Sequence, residues 1–412
     1  MIAMATPPNP ESPVGPLVVA VVSQSVVAFL VRMLPTLAPV LVVEAAVAPS
    51  FIGYLAAIGT VGSMLFYLAG TPLVRRLGPV RIMQLGMLVA AAGTALLGVP
   101  VPIVLALGSL LIGFGYAPST PAGSDVLQRF APKRHRTLLF SIKQAGVPFG
   151  GMIAGVILPP LTLIDWRLAI LASVVLTLAV TAAIQPLRAR IDRVRNRTQD
   201  LSPSTFLAPE NLLMPLHALR MSPRIPPLIL ASICLAAAQG ATFAFLVTFM
   251  VGIGLDLTAA GALFAIVQVT GIFGRILFGG LADRFGSATA MLVAAALSSA
   301  ITTAIYAYAA PDWPYWWLAL LAGVSGISIS SWNGLMLAEV AAAVPFARVA
   351  EATSGTTLLV FLGYIVGPIG FSLILDATGY RSAFLFLSVL TAFGAVVLLR
   401  TARRSQLLRG QG

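Results

Sequence analysis

The chain has 412 residues, 58% of them hydrophobic and only 9% charged, with a formal net charge of +12 and a mean hydropathy of +0.97. A soluble domain devotes about a quarter of its residues to charge to keep its surface wet, so this composition excludes an ordinary water-soluble fold. The basic balance invites a nucleic-acid reading, which the distribution of those charges along the chain excludes in turn.

Residues 1–16 include Pro7, Pro8, Pro10, Glu11 and Pro13. They lack a basic start and a small-residue cleavage site, and read as a disordered leader rather than a signal peptide. Apolar runs near the 20 residues needed to cross hydrocarbon are predicted at Leu17–Val43, Phe51–Val74, Pro79–Val99, Pro102–Asp125, Leu138–Pro159 and Trp166–Pro186. A polar stretch, 187–223, reads as a linker. Six more runs follow at Pro226–Gly252, Leu257–Ala282, Ala288–Ala309, Trp313–Ala341, Glu351–Leu375 and Arg381–Leu399. Their unbroken length predicts helices, since barrel strands would alternate every second residue. The expected domains are thus two six-helix bundles, 17–186 and 224–400, joined by the linker and followed by a basic tail, 401–412. Within the linker, Leu212, Leu213, Leu216 and Leu219 fall at helical spacing and predict an interfacial helix over Thr205–Arg220.

Orientation follows from the basic residues. With both termini in the cytoplasm, twenty of twenty-two loop cations lie inside; only Arg167 and Arg381 lie outside. The cations are therefore topology determinants facing anionic lipid, and no nucleic-acid partner is implied. The one cysteine, Cys234, lies in an apolar run, and His135 and His217 lie in polar loops. No metal, cofactor or acid–base constellation is indicated, so an enzyme is not expected.

The two halves repeat. Thr71-Pro-Leu-Val-Arg75-Arg76-Leu-Gly78 aligns without a gap on Gly279-Gly-Leu-Ala-Asp283-Arg284-Phe-Gly286. Gly151-Met-Ile-Ala-Gly155 aligns on Gly363-Tyr-Ile-Val-Gly367 at nearly the same offset. These residues resemble the major facilitator superfamily, whose signature between the second and third helices is Gly-x-x-x-Asp-Arg-x-Gly. The second half matches at Gly279, Asp283, Arg284 and Gly286; the first departs, with Thr71 for the Gly and Arg75 for the Asp. Gly146-Val-Pro148-Phe-Gly150-Gly151 looks like that family's glycine–proline motif in helix five. The resemblance implies an all-α membrane transporter of twelve helices in two pseudo-symmetric bundles, rocking about a midplane site. It also implies a cytoplasmic gate: Arg75 near Glu351, Asp283 near the start of helix five, Asp125 against Arg76 or Arg81, and Glu339 against Arg284.

Three cations fall inside apolar runs: Arg32, Lys143 and Arg275. A cation at the centre of a span costs about 2.5–3.5 kcal/mol on insertion scales and normally faces a cavity or a partner. Arg275 lies about 12 Å along the helix from Asp283 at 1.5 Å per residue, with Gln268 two turns earlier. Monocarboxylate and oxalate/formate carriers, which the chain resembles here, bear an arginine on the equivalent helix that meets the substrate carboxylate; snorkelling or pairing within the bundle is the alternative. Gln24, Ala28, Arg32 and Thr36 form one polar stripe, with Glu44 as an alternative partner for Arg32 and with Pro35 and Pro39 expected to kink the helix. Lys143, beside Gln144, either faces the cavity or snorkels. Gln239, Trp332 and Asn333 complete the candidate substrate-binding set, with Thr242, Tyr116, Ser119, Thr120 and the serines of helix ten as further polar groups. Such groups also serve simply to join helices.

Cations without mid-membrane carboxylates point to an anionic cargo. The expectation is a monomeric plasma-membrane transporter of a mono- or dicarboxylate, coupled to protons or to a counter-anion. A proton-linked multidrug or metabolite exporter is the first alternative, disfavoured because Ser109 stands where such exporters often place an arginine, four residues before Gly113-Phe-Gly115. A non-transporting receptor on the same scaffold is the second, and would need no charged cavity.

Overall fold

The computed structural model describes residues 14–206, 209–345 and 348–409. The apolar runs form twelve helices long and apolar enough to cross a bilayer, and no strand occurs among the described residues. Out of water, a single run can satisfy its own N–H and C=O groups only as a helix. In the first half these are α1 (Val14–Glu44), α2 (Phe51–Ala69), α3 (Pro79–Leu96), α4 (Pro102–Phe130), α5 (Arg136–Thr162) and α6 (Trp166–Ala183). The second half holds α7 (Ile225–Gly252), α8 (Leu257–Phe285), α9 (Ala288–Tyr306), α10 (Tyr315–Ala342), α11 (Val349–Thr378) and α12 (Tyr380–Arg409).

Local chemistry sets the helix ends. Asp165, Asp256 and Ser287 cap α6, α8 and α9 by accepting the backbone N–H of Arg167, Ala259 and Ala290. Gly286 ends α8 in the left-handed conformation, φ +65°, with its N–H on the Ala282 carbonyl; this is a conformation only glycine adopts cheaply. α4 is interrupted between Tyr116 and Ser119, and α10 at Ser331. The two breaks occupy the same helix of each half, one more element of the internal repeat. α1, by contrast, runs unbroken through Pro35 and Pro39.

The exterior suits hydrocarbon. Ile103, Leu163, Ile164, Ile276 and Val389 are all at least 69% exposed, and each would gain about 1.5–3 kcal/mol on leaving water. Trp313, Tyr315, Trp316 and Trp317 gather before and at the start of α10, the amphipathic belt expected at a membrane–water interface.

The six helices of each half form one bundle, and the bundles meet along α2 with α11 and α5 with α8. On the face away from the basic loops the backbones nearly touch. A Cβ on Gly53 of α2 would lie 2.1 Å from Ser372 Oγ of α11, and one on Gly155 or Gly261 would lie 2.5 Å from the other's carbonyl oxygen. The Ser372 hydroxyl reaches the Ser50 carbonyl across the same seam at 2.7 Å. Small residues let helices approach this closely, and dispersion between the backbones holds them. That face is sealed.

α1 begins at Val14, inside the expected leader 1–16, and residues 1–13 lie outside the described residues. The linker is ordered as helix Gln185–Ile191, a 3-10 turn Asp192–Val194, a short helix Pro203–Phe206 and helix Pro209–Arg220. The described residues of the expected Thr205–Arg220 helix are helical, in the stretches Pro203–Phe206 and Pro209–Arg220, with 207–208 outside the described residues. The second stretch is docked through Ala218 and Met214 onto Gly355 of α11, with Leu213 and Leu216 left exposed. α12 continues helically to Arg409 through most of the expected tail.

Candidate functional site

Between the bundles lies a cavity of about 990 Å³, lined by α1, α2, α4, α5, α7, α8, α10 and α11. Its lining runs to Asp283, Ser287, Glu339 and Ala342 at the end that carries the basic loops. The cavity therefore opens on the basic face and ends below the glycine seam.

Two of the three intramembrane cations line it, one from each bundle. Arg32 projects from α1 and places its guanidinium 4.5 Å from the ring centroid of Phe243 on α7, a cation–π contact across the halves. Arg275 on α8 donates through Nε to the Ser330 carbonyl at 3.1 Å. The α10 break at the next residue leaves that carbonyl without its full complement of helical bonds. Nε is thereby occupied while the two terminal nitrogens remain for another acceptor. The two arginines, Tyr116 and Tyr364 share one electrostatic neighbourhood. Neither arginine has an acidic partner among the described residues; Glu44, considered for Arg32, is exposed at the end of α1.

Of the remaining candidates, Gln144, Gln239 and Asn333 line the cavity. Three do not. Lys143 is 1% exposed and turned into the packing of α1, α4 and α5, where Nζ donates to the Thr120 carbonyl at 3.0 Å and to Ser124 Oγ at 3.3 Å. One residue of helix is 100°, so Lys143 and Gln144 cannot share a direction. Gln268 is packed against Gly151 in the α5–α8 seam. Trp332 is fully buried and acts on the cavity indirectly: its Nε1 donates to Gln239 Oε1 at 3.1 Å, and Tyr364 Oη donates to the same oxygen at 2.7 Å. Among the further polar groups, Tyr116, Thr120 and Ser331 also line the wall, whereas Ser119 and Thr242 are buried beside it.

Sequence reasoning missed Tyr67, Phe243, Phe361 and Tyr364, which line the chamber; Tyr67 and Phe361 meet edge to face at 5.3 Å across the halves. Phe243 shares α7 with Gln239, whereas α2 and α11, which carry the other three, held no polar candidate for the binding set to mark them.

The gate residues are apart in this conformation. Glu351 pairs with Arg348 at 3.5 Å and Asp125 with Arg129 at 2.8 Å. The expected pairs of Arg75 with Glu351, of Asp125 with Arg76 or Arg81, and of Arg284 with Glu339 are absent among the described residues. Asp283 and Glu339 instead stand at the open mouth. The first-half loop, which lacks the motif's acid, borrows one from the linker. Asp192, 4% exposed, accepts the backbone N–H of Val80 at 2.8 Å and of Arg81 at 3.1 Å, with Arg188 at 3.6 Å. Burial pushes its carboxyl above the usual carboxylate range; the two N–H groups and Arg188 and Arg195 oppose that shift.

The family model of the Major Facilitator Superfamily matches residues 20–339. No curated protein matches the chain. Among solved structures, the nucleoside transporter NupG is similar at a TM-score of 0.73 and 17% identity, covering 93% of this chain and 99% of its own. The peptide transporter POT gives 0.77 and 14%, covering 94% of each chain. A bacterial homologue of the human lysosomal transporter Spinster, inward-facing and unoccupied, gives 0.69 and 16%, covering 95% of each. Their likeness is one of fold, and that fold is the one described above: two six-helix bundles around a central cavity, in a multi-pass membrane protein. The chain belongs to the major facilitator superfamily.

Proposed function

We propose that the protein is a secondary transporter that moves a small organic anion, a mono- or dicarboxylate, across the plasma membrane by rocker-switch alternating access. In this reading both termini and the basic loops are cytoplasmic, and the conformation described is open to the inside. The observation that carries the reading is the pair Arg32 and Arg275, one from each bundle, lining one cavity with no acidic partner among the described residues. Buried cations left without countercharge are costly, and a bound carboxylate supplies that countercharge through charge-assisted hydrogen bonds. The acids near the cavity, Asp283 and Glu339, lie at its mouth and are available to the gate when the basic face closes.

Uptake of labelled carboxylates into proteoliposomes, with and without a proton gradient or an internal counter-anion, tests this reading and its coupling. Arg32→Ala and Arg275→Ala are expected to lose uptake while keeping the wild-type melting profile. Normal uptake by both variants removes the anion assignment.

A further inference from the structure

The amide of Gln239 has a fixed direction. Its oxygen receives two donors, the indole N–H of Trp332 at 3.1 Å and the hydroxyl of Tyr364 at 2.7 Å. An indole nitrogen can only donate, so the atom facing it must be the amide oxygen and not the nitrogen. With both oxygen lone pairs taken, the NH2 group is held on the opposite side. Gln239 lines the cavity while Trp332, behind it, is fully buried and immobilised. Flipping the amide would bring its NH2 against the indole N–H, donor against donor, and leave a buried donor without a partner, an arrangement costly in a low-dielectric site.

The same break of α10 positions the guanidinium. Arg275 Nε is bound to the Ser330 carbonyl and Gln239 is bound to the side chain of Trp332, two residues on. A cation and a neutral donor are therefore both held from the α10 break, the first by a backbone carbonyl and the second by an indole side chain two residues on.

We propose that Gln239 is a specificity-determining residue: held as a donor by Trp332 and Tyr364, it selects anions that carry a second, neutral acceptor oxygen, a ketone or ether, beside the carboxylate bound by Arg275. This rests on the anion reading above and adds the requirement for an acceptor. A plain carboxylate leaves the Gln239 NH2 desolvated and unpaired, which sets its discrimination at about tenfold or more. Tyr364 and Trp332 are positioning residues that act through Gln239.

The test compares matched probes, phenylpyruvate against 3-phenylpropionate and 2-oxobutyrate against butyrate, in proteoliposome uptake and in ligand-induced thermal shift of the purified protein. The wild type is expected to show KM values about tenfold lower for the oxo member of each pair. Gln239→Leu is expected to bring that ratio close to one, and Tyr364→Phe, which removes one of the two donors that hold the amide oxygen, to reduce it. A purely structural defect raises both KM values together and keeps the ratio. Saturable uptake by the wild type with a ratio near one overturns this inference alone, as does a ratio preserved in Gln239→Leu. Failure of the wild type to bind or move any member of the panel overturns the anion reading, and this inference with it.

Discussion

The carboxylate of Asp192 accepts the backbone N–H of Val80 at 2.8 Å, joining the linker to the first turn of α3 across 112 residues of sequence. Gly78, at φ +90°, leaves room for it: a Cβ there would lie 2.6 Å from Asp192 Cγ. The loop of the first half thus has Arg75 where the family motif has an acid, yet the adjoining helix start still receives a negative charge.

Asp192→Ala removes the acceptors of one buried and one half-buried N–H group and is expected to lower stability by about 1–3 kcal/mol, measured as thermal unfolding in detergent. Asp192→Asn keeps one acceptor oxygen and should cost less. Because burial raises the folded carboxyl's pKa, the folded state holds the proton more tightly than the unfolded state. The stability from this group is then full below about pH 4 and declines as pH rises through the raised value. Melting of the wild type relative to Asp192→Asn should follow that decline; an opposite slope contradicts it.

Phe243 stacks on the Arg32 guanidinium from the other bundle. Phe243→Leu removes the cation–π contact, worth about 0.5–2 kcal/mol, and should change KM for the proposed carboxylate substrate by about 2- to 30-fold in uptake assays.

Lys143 belongs to the packing of the first bundle and not to the cavity wall. Lys143→Met is expected to leave KM within about twofold of wild type, whereas Arg32→Met should raise it more than tenfold, given that hydrogen bonds to charged groups contribute about 1.5–3 kcal/mol. Equal effects of the two substitutions in uptake kinetics would remove the distinction.

The seam at Gly53 and Gly155 admits no side chain. Gly53→Val or Gly155→Leu should prop the sealed face apart and lower turnover by about 5- to 160-fold, as overpacking by about 1–3 kcal/mol shifts a two-state equilibrium. Spin labels placed across the seam in a Cys234→Ser background should report a longer distance than in wild type.

Much of this architecture was legible in the sequence because the bilayer imposes it. Spans need a fixed apolar length, and the duplicated loop motif marked the halves without reference to side-chain direction. Arg32, Arg275, Gln144, Gln239 and Asn333 were legible as cavity residues because polar groups in hydrocarbon have few places to go. Lys143 and Gln268 were misplaced because the pattern shows that a polar residue is buried, but not which of two polar interiors receives it. Asp192 was read only as linker polarity: its partner is a backbone N–H, which has no signature in the side-chain code. The pairings expected at the gate do not occur among the described residues, in a conformation whose mouth is open on the basic face.

The linker anchors change what holds the halves together. Asp192 and the Asn196 N–H, which donates to the Arg75 carbonyl, tie its first stretch to one bundle, and the helix Pro209–Arg220 docks on the other through Ala218, so the chain between these anchored stretches is no longer than residues 197–208. Such a tether reaches at most about 40 Å and keeps each bundle at millimolar effective concentration for its partner. In the alternating-access cycle proposed above, the seam can therefore be weak enough to open and close, because proximity is guaranteed covalently and does not have to be supplied by affinity.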